Sequence, residues 1–192
     1  LTYFGVAAAV FYAVFCWMAN LNVNFLWAAS FCLVLNWYGD SLDGTLARGR
    51  NTQRPKYGFF IDHSLDAITT CLFCMGIGLS PVMRLDISLF ILAGYLCMSI
   101  YTYISTIVMD KFRLTYASLG PTEARLIIIA VLTLFIFNPW PDVYVDIFDE
   151  KWSVYDCTGA VAAIIIFSLY IGSLAKDLRY LAKLDPPKSF KK

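Results

Sequence analysis

Charge is what this sequence has little of. Asp, Glu, Lys and Arg make up only 15% of its 192 residues, against about 25% in a soluble domain. With 59% of residues apolar, too few polar side chains remain to coat a water-soluble particle, which excludes a soluble enzyme and a disordered chain alike. Net charge is nearly absent as well: 15 basic and 14 acidic residues leave +1 at pH 7, so no nucleic-acid partner is implied. An initiating Met is missing. The chain starts at Leu1, inside an apolar run, and natural residues are expected to precede it. Cysteine is present six times, always in or beside apolar segments, and Cys71 and Cys74 form a C-x-x-C. Within an apolar helix such thiols read as small, buried and unreactive, not as a disulfide or a zinc site.

What the sequence has instead is long apolar runs. They cover Leu1–Met18, Val23–Tyr38, Gly58–Leu79, Leu85–Met109, Ala124–Phe137 and Tyr155–Leu174. In lipid each must be helical, because hydrocarbon offers no partner to a bare backbone amide. The second and fifth are short for a hydrocarbon layer of roughly 30 Å, so their helices should extend into polar sequence or tilt. Connections are short and no repeat or low-complexity linker interrupts them, so residues 1–192 form one membrane domain. Thirteen of the fifteen basic residues fall in even-numbered connections, at the start of the fifth run (Arg125) or in the C-terminal tail; Arg84 and Lys151 are the two exceptions. The positive-inside rule then puts both termini in the cytoplasm. The expected fold is an all-α integral membrane bundle of six transmembrane helices, with Trp140–Trp152 as an interfacial belt on the far side. The tail, Lys176–Leu184, continues the last helix, either as an amphipathic segment on the membrane surface or as a solvated helix end.

One stretch breaks the apolar pattern. Asp40 and Asp43 stand three apart at the end of the second span, and Asp62 and Asp66 four apart near the start of the third. On helices each spacing puts the pair on one face. A tight connection brings the two faces opposite each other. Four carboxylates together near a membrane would repel and would be costly to desolvate, so the cluster calls for divalent cations. All-oxygen donors favour Mg²⁺, Mn²⁺ or Ca²⁺ over zinc, which a lone histidine also disfavours. Gly44, Ala47 and Gly58 follow or precede the aspartates at four-residue spacing and leave room for a flat group to approach. Arg48 can meet phosphate charge. Separate helix-end aspartates paired with Arg48, Arg50, Arg54 and Lys56 would need none of these small residues.

These residues resemble the signature of the CDP-alcohol phosphotransferases, D-x2-D-G-x2-A-R, about eight residues, then G-x3-D-x3-D. Asp40, Asp43, Gly44, Ala47, Arg48, Gly58, Asp62 and Asp66 all match. The connection from Arg48 to Gly58 is longer than the pattern by one residue, which should alter the loop more than the facing helices. The resemblance implies that Asp40, Asp43 and Asp62 hold the metal, that two ions of Mg²⁺ or Mn²⁺ are bound, and that Asp66 shares in the site as a candidate base. It places Gly44, Ala47 and Gly58 beside the cytidine, and it implies a homodimer. The implied reaction is attack by an alcohol hydroxyl on the β-phosphorus of a CDP-alcohol, releasing CMP.

Within that family, Asp62-His63-Ser64-Leu65-Asp66 looks like the choline/ethanolamine phosphotransferase branch, in which CDP-choline or CDP-ethanolamine meets diacylglycerol. Glu123, in Pro121-Thr122-Glu123-Ala124-Arg125, is similar to a glutamate of that branch. His63, oriented by Glu123, would then take the proton of a lipid hydroxyl; a histidine bonded within the bundle is the competing reading. The other mode joins CDP-diacylglycerol to a polar alcohol such as inositol, inositol phosphate, serine or glycerol phosphate. Arg113 and Arg125 could bind a polar head group. A membrane cation transporter would use intramembrane aspartates too, but would not need the small residues at these offsets. The site would face the cytoplasm, in a bacterial or archaeal membrane or in the endoplasmic reticulum.

Overall fold

The protein is seen here as a computed structural model that describes residues 2–49, 54–109, 121–138, 144–147 and 150–186. For residues 43–49 the backbone alone is described. Six helices and one β-hairpin make up the described residues: α1 (Thr2–Met18), α2 (Phe25–Gly49), α3 (Pro55–Leu79), α4 (Leu85–Met109), α5 (Pro121–Phe137), β1 (Tyr144–Ile147), β2 (Glu150–Ser153) and α6 (Val154–Leu184). Each apolar run of the sequence lies largely within one helix. Three helices, α3 from Lys56 onward, α4 and α6, are long and apolar enough to cross a membrane.

The helix that holds the second run is longer than the run itself. It continues through Asp40 and Asp43 to Gly49, and at about 1.5 Å per residue its 25 residues span roughly 37 Å. Pro121 opens α5, where its fixed φ suits a first turn and its missing N–H removes no bond. Lys176–Leu184 does continue α6, giving a helix of 31 residues.

The all-α expectation needs one correction. Part of the belt between α5 and α6 is an antiparallel hairpin, with Val145 opposite Trp152 and Asp146 opposite Lys151. Tyr144, Val145 and Ile147 supply strand-favouring side chains. The hairpin is tied to the start of α4, because the Arg84 guanidinium donates to Glu150 and lies 5.5 Å from the centre of the Trp152 ring.

α1 packs against α2 and α3, α2 against α5, α3 against α4, and α4 against α6. Tyr12, Leu26, Leu33, Phe73, Ile77, Leu132 and Phe135 form the buried core where α1, α2, α3 and α5 meet. Gly76 allows α3 to approach α1: a Cβ there would sit 2.8 Å from Tyr12 Cε1 and 3.0 Å from Ala13 Cα. Large apolar side chains of α4 and α6, among them Phe90, Ile104, Ile164 and Ile171, point outward and are exposed, as a lipid-facing surface requires. All six thiols are free.

Candidate active site

α1, α2, α3 and α5 line a small cleft that opens to the surface. Its walls are Gly5 and Val6 of α1, Asn36 and Asp40 of α2, Asp62, Leu65, Asp66 and Thr69 of α3, and Arg125 of α5. The α3 residues recur at intervals of three and four, so one face of that helix lines the cleft. Asn36 and Asp40 do the same on α2. The helices come close because Gly39 sits against α1, where an added Cβ would be 3.3 Å from Phe4 Cδ1. Asn36 Nδ2 donates to the Gly5 carbonyl at 2.9 Å, which ties α2 to α1 at the cleft.

Three of the four expected carboxylates therefore share one cavity. Asp43 lies on α2 with its side chain outside the described residues, as do the side chains of Ala47 and Arg48 and the surroundings of Gly44. Gly58 is described: among the described residues nothing lies within 4 Å of where its Cβ would be. Among the described residues no group of three His, Cys, Asp or Glu side chains is placed to hold a metal ion. The donor chemistry nonetheless fits a hard divalent ion, since the acids facing the cleft offer oxygen alone. One of those acids is already engaged, because Arg125 Nη2 donates to Asp40 Oδ2 at 3.0 Å.

His63 and Glu123 are placed differently. Neither is among the residues lining the cleft. His63 Nδ1 is 3.0 Å from the Phe59 carbonyl, its ring stacks on Phe59 at 4.1 Å, and its edge meets Tyr103 of α4 at 5.0 Å. It thus sits on the α4 side of α3, half-buried, next to the aspartate face and not on it. Glu123 is exposed in the first turn of α5, where its charge suits the helix N-terminus.

Sequence reasoning gave Arg125 too little weight and missed Asn36 and Thr69. A signal was there for two of them. Asn36 is one turn before Asp40 in an otherwise apolar run, and Arg125 is a cation one turn inside a helix whose next twelve residues are uncharged.

The sequence pattern of the CDP-alcohol phosphatidyltransferase family matches residues 1–173. The chain belongs to that family. It is accordingly a transferase of substituted phosphate groups that acts in phospholipid synthesis. Comparison with curated proteins and with solved structures returned no match.

Proposed function

We propose that this chain is a six-span enzyme with both termini and the cleft at the cytoplasmic face, working as a homodimer, that moves a substituted phosphate from a CDP-alcohol to an alcohol hydroxyl. The observation that carries this reading is the joint presence of Asp40, Asp62, Asp66 and Arg125 around one cleft. Asp40, Asp43, Asp62 and Asp66 would hold Mg²⁺ or Mn²⁺, as two ions. Such cations supply the neutralisation of pyrophosphate charge that an in-line displacement requires.

The chain's own residues do the rest. Asp40 and Asp62 present carboxylate oxygens from facing helices. Gly44 and Ala47 on α2 and Gly58 on α3, small residues all, leave room for the flat cytosine ring. Arg48 lies one turn beyond Gly44 to meet phosphate charge. The acceptor hydroxyl attacks the β-phosphorus, the bond from that phosphorus to the bridging oxygen breaks, and CMP leaves with the electron pair. The hydroxyl proton passes to a basic side chain.

The favoured substrates are CDP-choline or CDP-ethanolamine with diacylglycerol, because His63 follows Asp62 and can take a proton from a lipid hydroxyl arriving between α3 and α4. A second reading is supported by the same geometry. Asp66 lines the cleft and His63 does not, and the cleft walls are polar at Asn36, Thr69 and Arg125. That lining suits a polar alcohol attacking CDP-diacylglycerol with Asp66 as the base.

Release of CMP by purified protein in lipid, with Mg²⁺ or Mn²⁺, tests both. Turnover with diacylglycerol that falls at least about 10²-fold in His63→Ala or Glu123→Gln supports the first. Turnover only with CDP-diacylglycerol and inositol, inositol phosphate, serine or glycerol phosphate, insensitive to His63→Ala, supports the second. Cation flux without CMP release from any pair would overturn both in favour of a transporter.

A further inference from the structure

Arg125 is the most deeply buried charge of the cleft, with 8% of its side chain exposed, whereas its partner Asp40 is 36% exposed. It contacts Asp40 through Nη2 alone, although a guanidinium can grip a carboxylate with two parallel N–H groups. Its Nε is shut off from solvent and has no hydrogen-bond partner among the described residues. A buried arginine with an idle donor is a costly way to anchor a helix. Its position in α5, one turn from the positive end of the helix dipole, brings no compensation. What it does provide is one positive charge among Asp40, Asp62 and Asp66, the acids that line the same cleft.

We propose that Arg125 is a resident counter-ion of the carboxylate cleft, which balances Asp40 until a divalent cation takes over that carboxylate and then turns its guanidinium to the phosphates of the donor. The inference rests on the reading of the cleft as a divalent-cation and CDP-alcohol site, and it gives Arg125, which that reading only counts among the walls, a role of its own. The same guanidinium cannot serve Asp40 and a phosphate equally well, so cation and donor binding are coupled through it. Arg125 is a positioning residue for the carboxylate and a binding residue for the phosphate.

The distinguishing consequence is the sign of a metal-binding change. If Arg125 competes with the cation for Asp40, removing its charge tightens the cation. Mn²⁺ binding to purified protein in lipid nanodiscs, without any CDP-alcohol, is read from the electron paramagnetic resonance of free Mn²⁺. Arg125→Gln should bind Mn²⁺ roughly five- to tenfold more tightly than the unmodified protein, because one like charge near the ion is gone. In the same variant the KM for the CDP-alcohol should rise by roughly tenfold or more as the phosphate contact is lost. Arg125→Lys, the variant to rely on if Arg125→Gln does not fold, keeps the charge. It should bind Mn²⁺ within about twofold of the unmodified protein while still raising KM, since a lysine lacks the fork.

An anchor that merely held Asp40 in place would give weaker Mn²⁺ binding in Arg125→Gln, and that result, or an unchanged affinity, overturns the proposal. So does an Arg125→Lys that binds Mn²⁺ several-fold more weakly than the unmodified protein. Unmodified protein that binds no Mn²⁺, or binds it identically after Asp62→Asn, overturns the metal reading of the cleft itself and this inference with it.

Discussion

The two ends of α3 handle charge in opposite ways. Near its start, Asp40, Asp62 and Asp66 line one cleft with Arg125 as the cation among its walls. Just past its end, Asp86, Glu150 and Asp156 each accept a hydrogen bond. Asp156 accepts from the Arg84 backbone N–H at 2.8 Å and from the N–H and hydroxyl of Ser153 at 3.0 and 2.9 Å. Its own N–H is capped by Ser153 Oγ at 3.1 Å, which completes a capping box at the start of α6. The Arg84 guanidinium reaches Asp86 at 2.9 Å and also Glu150. One end spends its charges on holding elements together; the other gathers like charges around one cleft, which costs stability and which the proposed divalent cation would relieve.

The sharpest way to break that contrast is to neutralise one acid at each end. Asp66→Asn should lower turnover by roughly 10²- to 10⁴-fold, since a cation ligand and a candidate base go together. Its thermal midpoint should stay level or rise, because one repelling charge has been removed from beside Asp40 and Asp62. CMP release and a melting curve on the same preparation check both. A fall in midpoint together with full turnover would show that Asp66 is structural and that the two ends do not differ.

Asp156→Ala should do the reverse. Asp156 is 6% exposed, and its loss leaves the Arg84 N–H and the Ser153 cap without their acceptor. A cost of about 2–3 kcal/mol is expected from a lost cap plus an unsatisfied buried donor. Turnover per folded molecule should stay within about twofold, because α6 contributes no residue to the lining of the cleft. Denaturation in mild detergent, followed by circular dichroism, reads the first; CMP release at low temperature reads the second.

The asymmetry between the ends was legible in the sequence to different depths. Asp40, Asp62 and Asp66 announced themselves because acids inside apolar runs are expensive and their spacing keeps to one helical face. Asn36 and Thr69 carry no charge, and a lone amide or hydroxyl in an apolar helix looks like any bonded core residue until a cavity is seen beside it. Arg125 was visible, yet its partner lies 85 residues away on α2, and no helical spacing links the two. The hairpin was hidden because Tyr144–Ile147 and Glu150–Ser153 are four residues each, too short for an alternation to stand out. Asp156 looked like an ordinary acid near a helix start; that it also holds the backbone of Arg84 is a tertiary fact.

Asp177 lies between the two cases and sharpens the comparison. It is a buried acid of α6, and Tyr101 of α4, also buried, donates its hydroxyl to it. If this pair belongs to the stabilising kind, Tyr101→Phe should cost about 1–2 kcal/mol by leaving a buried acceptor short of a donor. Asp177→Asn keeps an acceptor for the tyrosine and should cost less than about 1 kcal/mol. Neither should change turnover by more than about twofold, since both residues lie on helices that do not line the cleft. A strong loss of turnover in Asp177→Asn with an unaltered melting curve would move this acid into the functional class.

The smallest effect is expected at Arg84, although it has the most partners. Its hydrogen bonds to Asp86 and then to Glu150 hold its pKa above that of an ordinary arginine. A raised folded pKa gives stability that is complete below the unfolded value and is lost only as pH climbs through the folded one. Both values lie above any pH at which the protein would be studied, so Arg84 should add no slope to the thermal midpoint between about pH 5 and about pH 9. Its guanidinium is open to water, where ion pairs are weak and screened. Arg84→Gln should therefore shift the midpoint by less than Asp156→Ala does, and the shift should shrink further in about 1 M salt. The backbone N–H of residue 84, which binds Asp156, survives the substitution. A midpoint as low as that of Asp156→Ala, and indifferent to salt, would show that the guanidinium and not the buried carboxylate holds the hairpin end together.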